Sequence, residues 1–213
     1  MFGTKTLEER ESKFNGQLKV VRSLGLGTYI QAEGLTQSGG IVEAIWKSTL
    51  KKVHHSPITV HHSLILGLGG GTVAKLIRKS WPEAKITGID IDPIMIELGK
   101  KYLNLNEYKV DIIIADASDL SNLSNLPNWP NSKFDLVIVD LYQGDKYPEK
   151  FETENYIQLL RTVLSSGGVI IFNRLYYGDK RPQAVKFGNK LKKIFSNVEW
   201  FYPEANLMFV CTI

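Results

Sequence analysis

One stretch, Ser63 to Asp92, constrains the fold of this chain more than any other. Leu64-Ile65-Leu66 is an apolar run that reads as a buried strand, and it stops at Gly67-Leu68-Gly69-Gly70-Gly71-Thr72. Helical spacing resumes at Val73, Ala74, Leu76 and Ile77. A second apolar-rich run, Ile86 to Ile91, carries acids at Asp90 and Asp92. Strand, glycine turn, helix, strand and acid is the layout of a nucleotide-binding βαβ unit. The glycines let backbone approach a ligand closely and open the helix, and a carboxylate about twenty residues on can accept hydrogen bonds from ribose hydroxyls. The turn is not a full G-x-G-x-x-G match, because Thr72 stands where the last glycine belongs.

The rest of the chain extends that unit. Predicted strands at 62–67, 85–90, 110–115, 134–140 and 168–173 alternate with predicted helices at 71–80, 93–103, 153–164 and 183–195. Such alternation argues for a parallel sheet covered on both faces. The end differs: Val198 to Tyr202 and Leu207 to Cys211 are two strands with only Pro203 to Asn206 between them. That connection is too short for a parallel crossover, so the pair is antiparallel. The predicted class is α/β, a doubly wound, mostly parallel seven-stranded sheet with a terminal antiparallel strand. That ending typifies the Rossmann-like class I S-adenosylmethionine-dependent methyltransferase fold rather than the dehydrogenase domain.

Upstream, residues 17–37 read as a small N-terminal β-hairpin extension, with Leu18, Val20 and Leu24 on one face of its first strand and Gly25-Leu26-Gly27 as the turn. A short helix over 41–50 and a linker over 51–57 follow. The expected division is therefore 1–57, hairpin and short helix, and 58–213, the Rossmann-like catalytic domain. Asn122 to Asn131, rich in Asn, Ser and Pro, reads as a loop.

At 213 residues, with 43% apolar and 23% charged residues, the chain has the composition of an ordinary globular domain. No apolar run reaches the roughly 18 residues of a membrane span, and the charged N-terminus has no signal-like core. Cys211 is the single cysteine and forms no intramolecular disulfide. The cytoplasm is the default compartment. A net charge of +4 permits a nucleic-acid or acidic partner without demanding one. Lys186, Lys190 and Lys193 would share one face of a C-terminal helix, and a solvated outer face is its ordinary reading.

Three acids end predicted strands: Asp90 the second, Asp116 the third and Asp140 the fourth. In an open parallel sheet the carboxyl ends line the ligand crevice. Acids after strands also cap helices, which is the competing structural role. His54-His55 and His61-His62 do not chelate easily as adjacent pairs and lack further ligands at metal spacing. Tyr176, Tyr177 and Trp129 suit a pocket wall or a packed rim equally. Arg174 reads as a surface residue, with a substrate carboxylate as the alternative partner. Cys211 reads as a buried small hydrophobe.

From about Glu11 to the C-terminus the sequence resembles the spermidine synthase group, the polyamine aminopropyltransferases and their looser relatives on the methyltransferase fold. Glu11-Ser12 and Glu33-Gly34-Leu35-Thr36-Gln37 resemble the family's "ES…LDG..Q" entrance, and Gly67 to Thr72 sits where it has a GGGDGG turn. Asp90-Ile91-Asp92 resembles E-I-D, and Asp140 to Asp145 with Pro148 is similar to the D-x-F-x-G-D…P run of the looser relatives. Tyr202-Pro203 and Phe209 fall at the spacing of a terminal Y-P-S-G-Q-I-G-F. The resemblance implies a donor site of Gln37, Gly67, Gly69, Gly70, Gly71, Asp90, Asp116 and Ala117. In it Asp90 would take the ribose hydroxyls and Asp116 the adenine amino group, with Gln37 reaching the nucleoside. Asp140 would stand beside the reacting amine, with Tyr202 positioning that amine. The implied donor is S-adenosylmethionine or its decarboxylated form, with no metal and a small acceptor such as an amine. The N-terminal hairpin is small and its strand edges need covering, so a homodimer is expected.

The departures bear on substrate. Gly70 replaces the aspartate of the family turn, Gln143 the second acid of its D-x-x-D, and Trp46 the tyrosine of its first helix. Losing acids weakens the case for putrescine, since an unpaired buried ammonium costs several kcal/mol. Gly70 in place of an acid favours intact S-adenosylmethionine, whose carboxylate the helix N-terminus would then accept. Methyl and aminopropyl transfer both stay open. A nucleoside-binding protein without turnover and an RNA methyltransferase are the alternatives.

Overall fold

A computed structural model describes residues 3–54, 58–123, 129 and 133–213. His55, the end of the 51–57 linker and most of the 122–131 loop lie outside the described residues.

The N-terminal part is larger than a hairpin. Strands β1 (Lys5–Ser12), β2 (Gly16–Ser23), β3 (Gly27–Ala32) and β4 (Leu35–Gly39) form an antiparallel sheet in that order. The two strands that sequence reasoning passed over are the edges. β1, KTLEERES, is charged and mostly exposed, and β4, LTQSG, is short, so neither shows an apolar alternation. Leu18 and Val20 are fully buried as expected, whereas Leu24 lies beyond β2 in the turn and is 84% exposed. Helix α1 (Gly40–His54) runs further than predicted. Lys51, Lys52 and His54, read as linker, sit in its last turn, where cations complement the helix dipole.

The main sheet follows: β5 (His62–Leu66), α2 (Thr72–Ser80), β6 (Lys85–Asp90), α3 (Pro93–Tyr102), β7 (Val110–Ile114), the one-turn α4 (Leu120–Leu123), β8 (Phe134–Val139), α5 (Glu154–Val163), β9 (Leu164–Leu175), α6 (Lys180–Leu191), β10 (Asn197–Phe201) and β11 (Asn206–Thr212). The spatial order is β10-β11-β9-β8-β5-β6-β7. β5 to β9 are parallel, and β11 runs antiparallel to both neighbours. This is the expected seven-stranded, doubly wound sheet with one reversed strand near its end.

Burial on both faces explains why the central strands read as unbroken apolar runs. Leu64 and Leu66 of β5, with Val137 and Val139 of β8, pack with Ile157, Leu160, Phe187 and Leu191 of α5 and α6. Ile65, Leu136 and Ile138 face the other way, against Trp46 and Leu50 of α1, Ile77 of α2 and Ile96 of α3. A third cluster joins Leu18, Val20, Ile30 and Ala32 of the N-terminal sheet to Met95 and Leu98 of α3. Asp92 fastens the same joint. It caps α3 by accepting from the Ile94 amide at 2.9 Å, and accepts from Ser12 Oγ at 2.5 Å and Asn15 Nδ2 at 2.7 Å.

Two residues behave differently from their sequence reading. Arg174 is not on the surface: it is 4% exposed, pairs with Glu152 at 2.6 Å and stacks on Tyr147 at 4.1 Å. Lys190 donates to the Glu152 carbonyl and Lys193 lies beyond α6, so Lys186, Lys190 and Lys193 are not one free row on that helix. Cys211 is fully buried, and that burial pushes its thiol pKa up. Among the described residues, no helix is long and apolar enough to cross a membrane.

Candidate active site

A cavity of about 380 Å³ opens at the carboxyl ends of the parallel strands. Its walls follow the sheet order. Asp116 and Ala117 come after β7, Asp90 ends β6, Gly67 to Gly69 follow β5, Asp140 follows β8, and Asn173 lies in β9. The N-terminal sheet closes it from above with Leu35 to Ser38, and α1 adds Trp46. Three acids widely spaced in sequence therefore meet in one cavity because each ends a strand of a parallel sheet.

Gly67 has φ +86°, and a Cβ there would lie 2.1 Å from the Asp140 carbonyl oxygen. Glycine is what allows β5 and β8 to remain close at this mouth. Asp90 accepts from the Gly69 amide at 2.7 Å and the Asp92 amide at 2.9 Å. Desolvation nevertheless raises its pKa to about 6. Each of its oxygens keeps a lone pair for further donors. At Asp116 burial also pushes upward, but Lys150 and the Ser118 amide and hydroxyl outweigh it and hold the carboxyl below its usual range. Asp140 accepts from Trp46 Nε1 at 2.9 Å and Asn173 Nδ2 at 2.8 Å; desolvation still leaves its pKa raised.

Gln37 lines the cavity and donates to the Gly144 carbonyl at 3.3 Å, bridging β4 to the segment after β8. The other predicted residues are placed elsewhere. Gly70 and Gly71 are not on the cavity wall. The Gly70 amide donates to Ser38 Oγ at 2.7 Å, and a Cβ on Gly70 would meet Leu103, Ser38 and Ile30 under the N-terminal sheet. Gly70 thus serves packing, and its N–H is already committed. Tyr202 is 51% exposed and stacks edge-on with Tyr176 at 5.2 Å, off the wall. Tyr177 does line the cavity, while Trp129 packs edge-on against Phe134 at 5.5 Å. Asp145 pairs with Lys180 at 3.0 Å outside the cavity, and Gln143 lines it.

Lys150, Phe151, Asn173, Glu204 and Asn206 also line the site and were not anticipated. Asn173 was legible in principle, as the polar residue interrupting the apolar end of β9 in Phe172-Asn173-Arg174. Glu204 sits in the β10–β11 connection and Asn206 opens β11, where nothing in sequence marks direction. Among the described residues, no group of three His, Cys, Asp or Glu is placed to hold a metal ion; His54 stacks on Trp81 at 5.3 Å.

The reversed strand near the end of the sheet and the glycine turn at a strand-to-helix corner define a class I S-adenosylmethionine-dependent methyltransferase fold. A family model described as a methyltransferase domain matches residues 64–168. Within that fold the chain is similar to spermidine synthases: spermidine synthase from Thermotoga maritima superposes with a TM-score of 0.75 over 98% of this chain and 72% of that one, at 18% identity. A curated relative, a spermine synthase of Saccharomyces cerevisiae, is 27% identical over 92% of this chain and 67% of its own length. Human methyltransferase-like protein 13, solved with SAH, gives a TM-score of 0.61 at 21% identity, covering 81% of this chain and 79% of that one. The proteins matched are thus transferases of aminopropyl and of methyl groups. The chain spans 20% to 67% of the length of the first curated relatives it matches.

Proposed function

We propose that this protein is a transferase that binds S-adenosylmethionine or its decarboxylated form in the strand-end cavity. It passes a methyl or aminopropyl group to a small nucleophile, of which an amine fits best. The observation that carries this reading is the convergence of Asp90, Asp116 and Asp140 with the Gly67–Gly69 turn in one cavity. Asp90 accepts from the ribose hydroxyls, Asp116 and Ala117 take the adenine end, Gln37 reaches the nucleoside from β4, and Asp140 stands beside the acceptor. By strand order Asp140, after β8, and Glu204, before β11, line the side of the cavity away from Asp116, which follows β7. Negative charge there supports a cationic acceptor, since a desolvated ammonium needs a carboxylate partner. The Gly70 amide, bonded to Ser38, does not favour either donor.

The chemistry asks little of the protein. The donor carbon bonded to the sulfonium is already electrophilic, and its leaving group departs as a neutral thioether. The nucleophile's lone pair forms the new bond to carbon as the carbon–sulfur bond breaks, and the proton released passes to Asp140. Holding the reacting atoms in line at about 3–3.5 Å supplies a large share of the rate, and Asp140 acts as general base. Calorimetry with both donors, alongside turnover of Asp140→Asn, tests the reading. The variant is expected to lose roughly 100-fold or more in turnover while retaining donor affinity. Unchanged turnover, or no binding of either donor, refutes it.

A further inference from the structure

The Asp140 carboxylate is held by a chain of N–H donors. Asn206 Nδ2 donates to Asn173 Oδ1 at 2.8 Å, Asn173 Nδ2 donates to Asp140 Oδ1 at 2.8 Å, and Trp46 Nε1 donates to Asp140 Oδ2 at 2.9 Å. Trp46 is fully buried and both asparagines are 6% exposed. The polarity is self-consistent. With its oxygen facing Asn206, the Asn173 amide can present only its NH₂ to Asp140, and flipping it would set oxygen against a carboxylate. Tyr142 adds a brace, because its hydroxyl accepts from the Leu175 amide at 2.7 Å and donates to the Asn173 carbonyl at 3.4 Å.

We infer that Asn173 and Asn206 are positioning residues, whose linked amides fix the Asp140 carboxylate in orientation and keep it an acceptor, so that the start of β11 at the cavity mouth is wired to the base. The inference rests on the role given to Asp140 in the proposed function. It departs from a catalytic relay in one respect. Neither an indole nor an amide readily takes up and hands on a proton, so a proton taken by Asp140 cannot leave along this chain and must return to the cavity. The chain orients and stabilises charge, and it conducts nothing. Burial works against the ionised form, and the two N–H bonds from Asn173 and Trp46 oppose it. Among the described residues, the Asp140 charge acts on the Tyr142 phenol, and the charged groups elsewhere on the cavity wall are Asp90, Asp116, Lys150 and Glu204.

Trp46 supplies its own reporter. In protein carrying ¹⁵N-labelled tryptophan, the indole cross-peak lost in Trp46→Phe identifies the N–H bonded to Asp140, and its position is followed against pH. The peak is expected to titrate. In Asn173→Ala the midpoint should rise by about one pH unit, roughly a ten-fold change in the protonation constant for one lost charge-assisted bond. Asn206→Ala should move it the same way by less. A wild-type peak that does not titrate, or one midpoint shared by all variants, overturns the inference. If Asn173→Ala fails to fold, Asn206→Ala decides alone, and an unmoved midpoint there is refutation. Because no turnover is needed, loss of the proposed function in the Asp140→Asn assay and failure of this inference are read separately.

Discussion

Gly67→Ala tests whether the mouth of the sheet is built on close backbone approach. Two costs add at this position. With φ +86°, alanine must adopt the left-handed region, which costs about 1–2 kcal/mol. Its Cβ would also meet the Asp140 carbonyl oxygen at 2.1 Å and carbonyl carbon at 2.8 Å. Both are backbone atoms and cannot rotate aside, so the ends of β5 and β8 must part. Overpacking of this kind adds about 1–3 kcal/mol, for a total of roughly 2–5 kcal/mol. Gly167→Ala is the matched control: its φ is +75°, but no atom lies within 4 Å of the added Cβ. It carries the first cost alone. In urea, with a slope of about 2 kcal/mol per molar, Gly67→Ala should lower the midpoint by roughly 1–2.5 M and Gly167→Ala by about 0.5–1 M. Donor affinity should fall only in the first variant, because only there is the Gly67–Gly69 turn of the cavity wall displaced. Equal losses in the two variants would show that conformational strain explains everything and that the close approach is unimportant.

Asp90, with its pKa raised to about 6, should make donor binding pH-dependent. Below pH 6 its protonated form loses acceptor capacity, so calorimetric affinity should fall as the pH drops from 7 to 5, and a flat profile would contradict its contact with the donor. The linked effect on stability has the opposite sense: against an unfolded value of about 3.9, Asp90 favours folding at low pH, and that contribution is lost as pH rises from about 4 through 6. Gly70→Asp should destabilise the fold by about 1–3 kcal/mol, because its Cβ would sit 2.7 Å from Leu103 Cδ1 and 2.9 Å from Ser38 Cβ; an unchanged melting temperature would show that the turn adapts. The outer edge of β1 is unpaired among the described strands, and an open edge invites covering. We expect a homodimer by light scattering at micromolar concentration, and a monomer would refute this.

The order of strands and helices in the main sheet was legible because its signals are local. Apolar runs such as Leu136 to Val139 mark strands buried on both faces, and the short Pro203–Asn206 connection forces an antiparallel pair. The acids at 90, 116 and 140 were legible for the same reason, since the end of a parallel strand is a place in the fold as well as in the sequence. The N-terminal sheet was read only as its two inner strands. β1 and β4 are edges whose pairing depends on neighbours and not on their own alternation.

Side-chain direction belongs to tertiary structure. Asp140 and Asp145 lie five residues apart, yet one meets Trp46 and Asn173 in the cavity while the other turns out to Lys180. Gly70 and Gly69 are adjacent, and one packs under β4 while the other binds Asp90. Arg174 and Asn173 are neighbours on a strand, so they point to opposite faces, one into an aromatic pocket beside Glu152 and one toward the base. The sequence alone determined the sheet, its reversed strand and the positions of the acids, because periodicity and chain length act locally. Which of those groups share the cavity, and what holds Asp140 there, was decided by packing between segments distant in the chain.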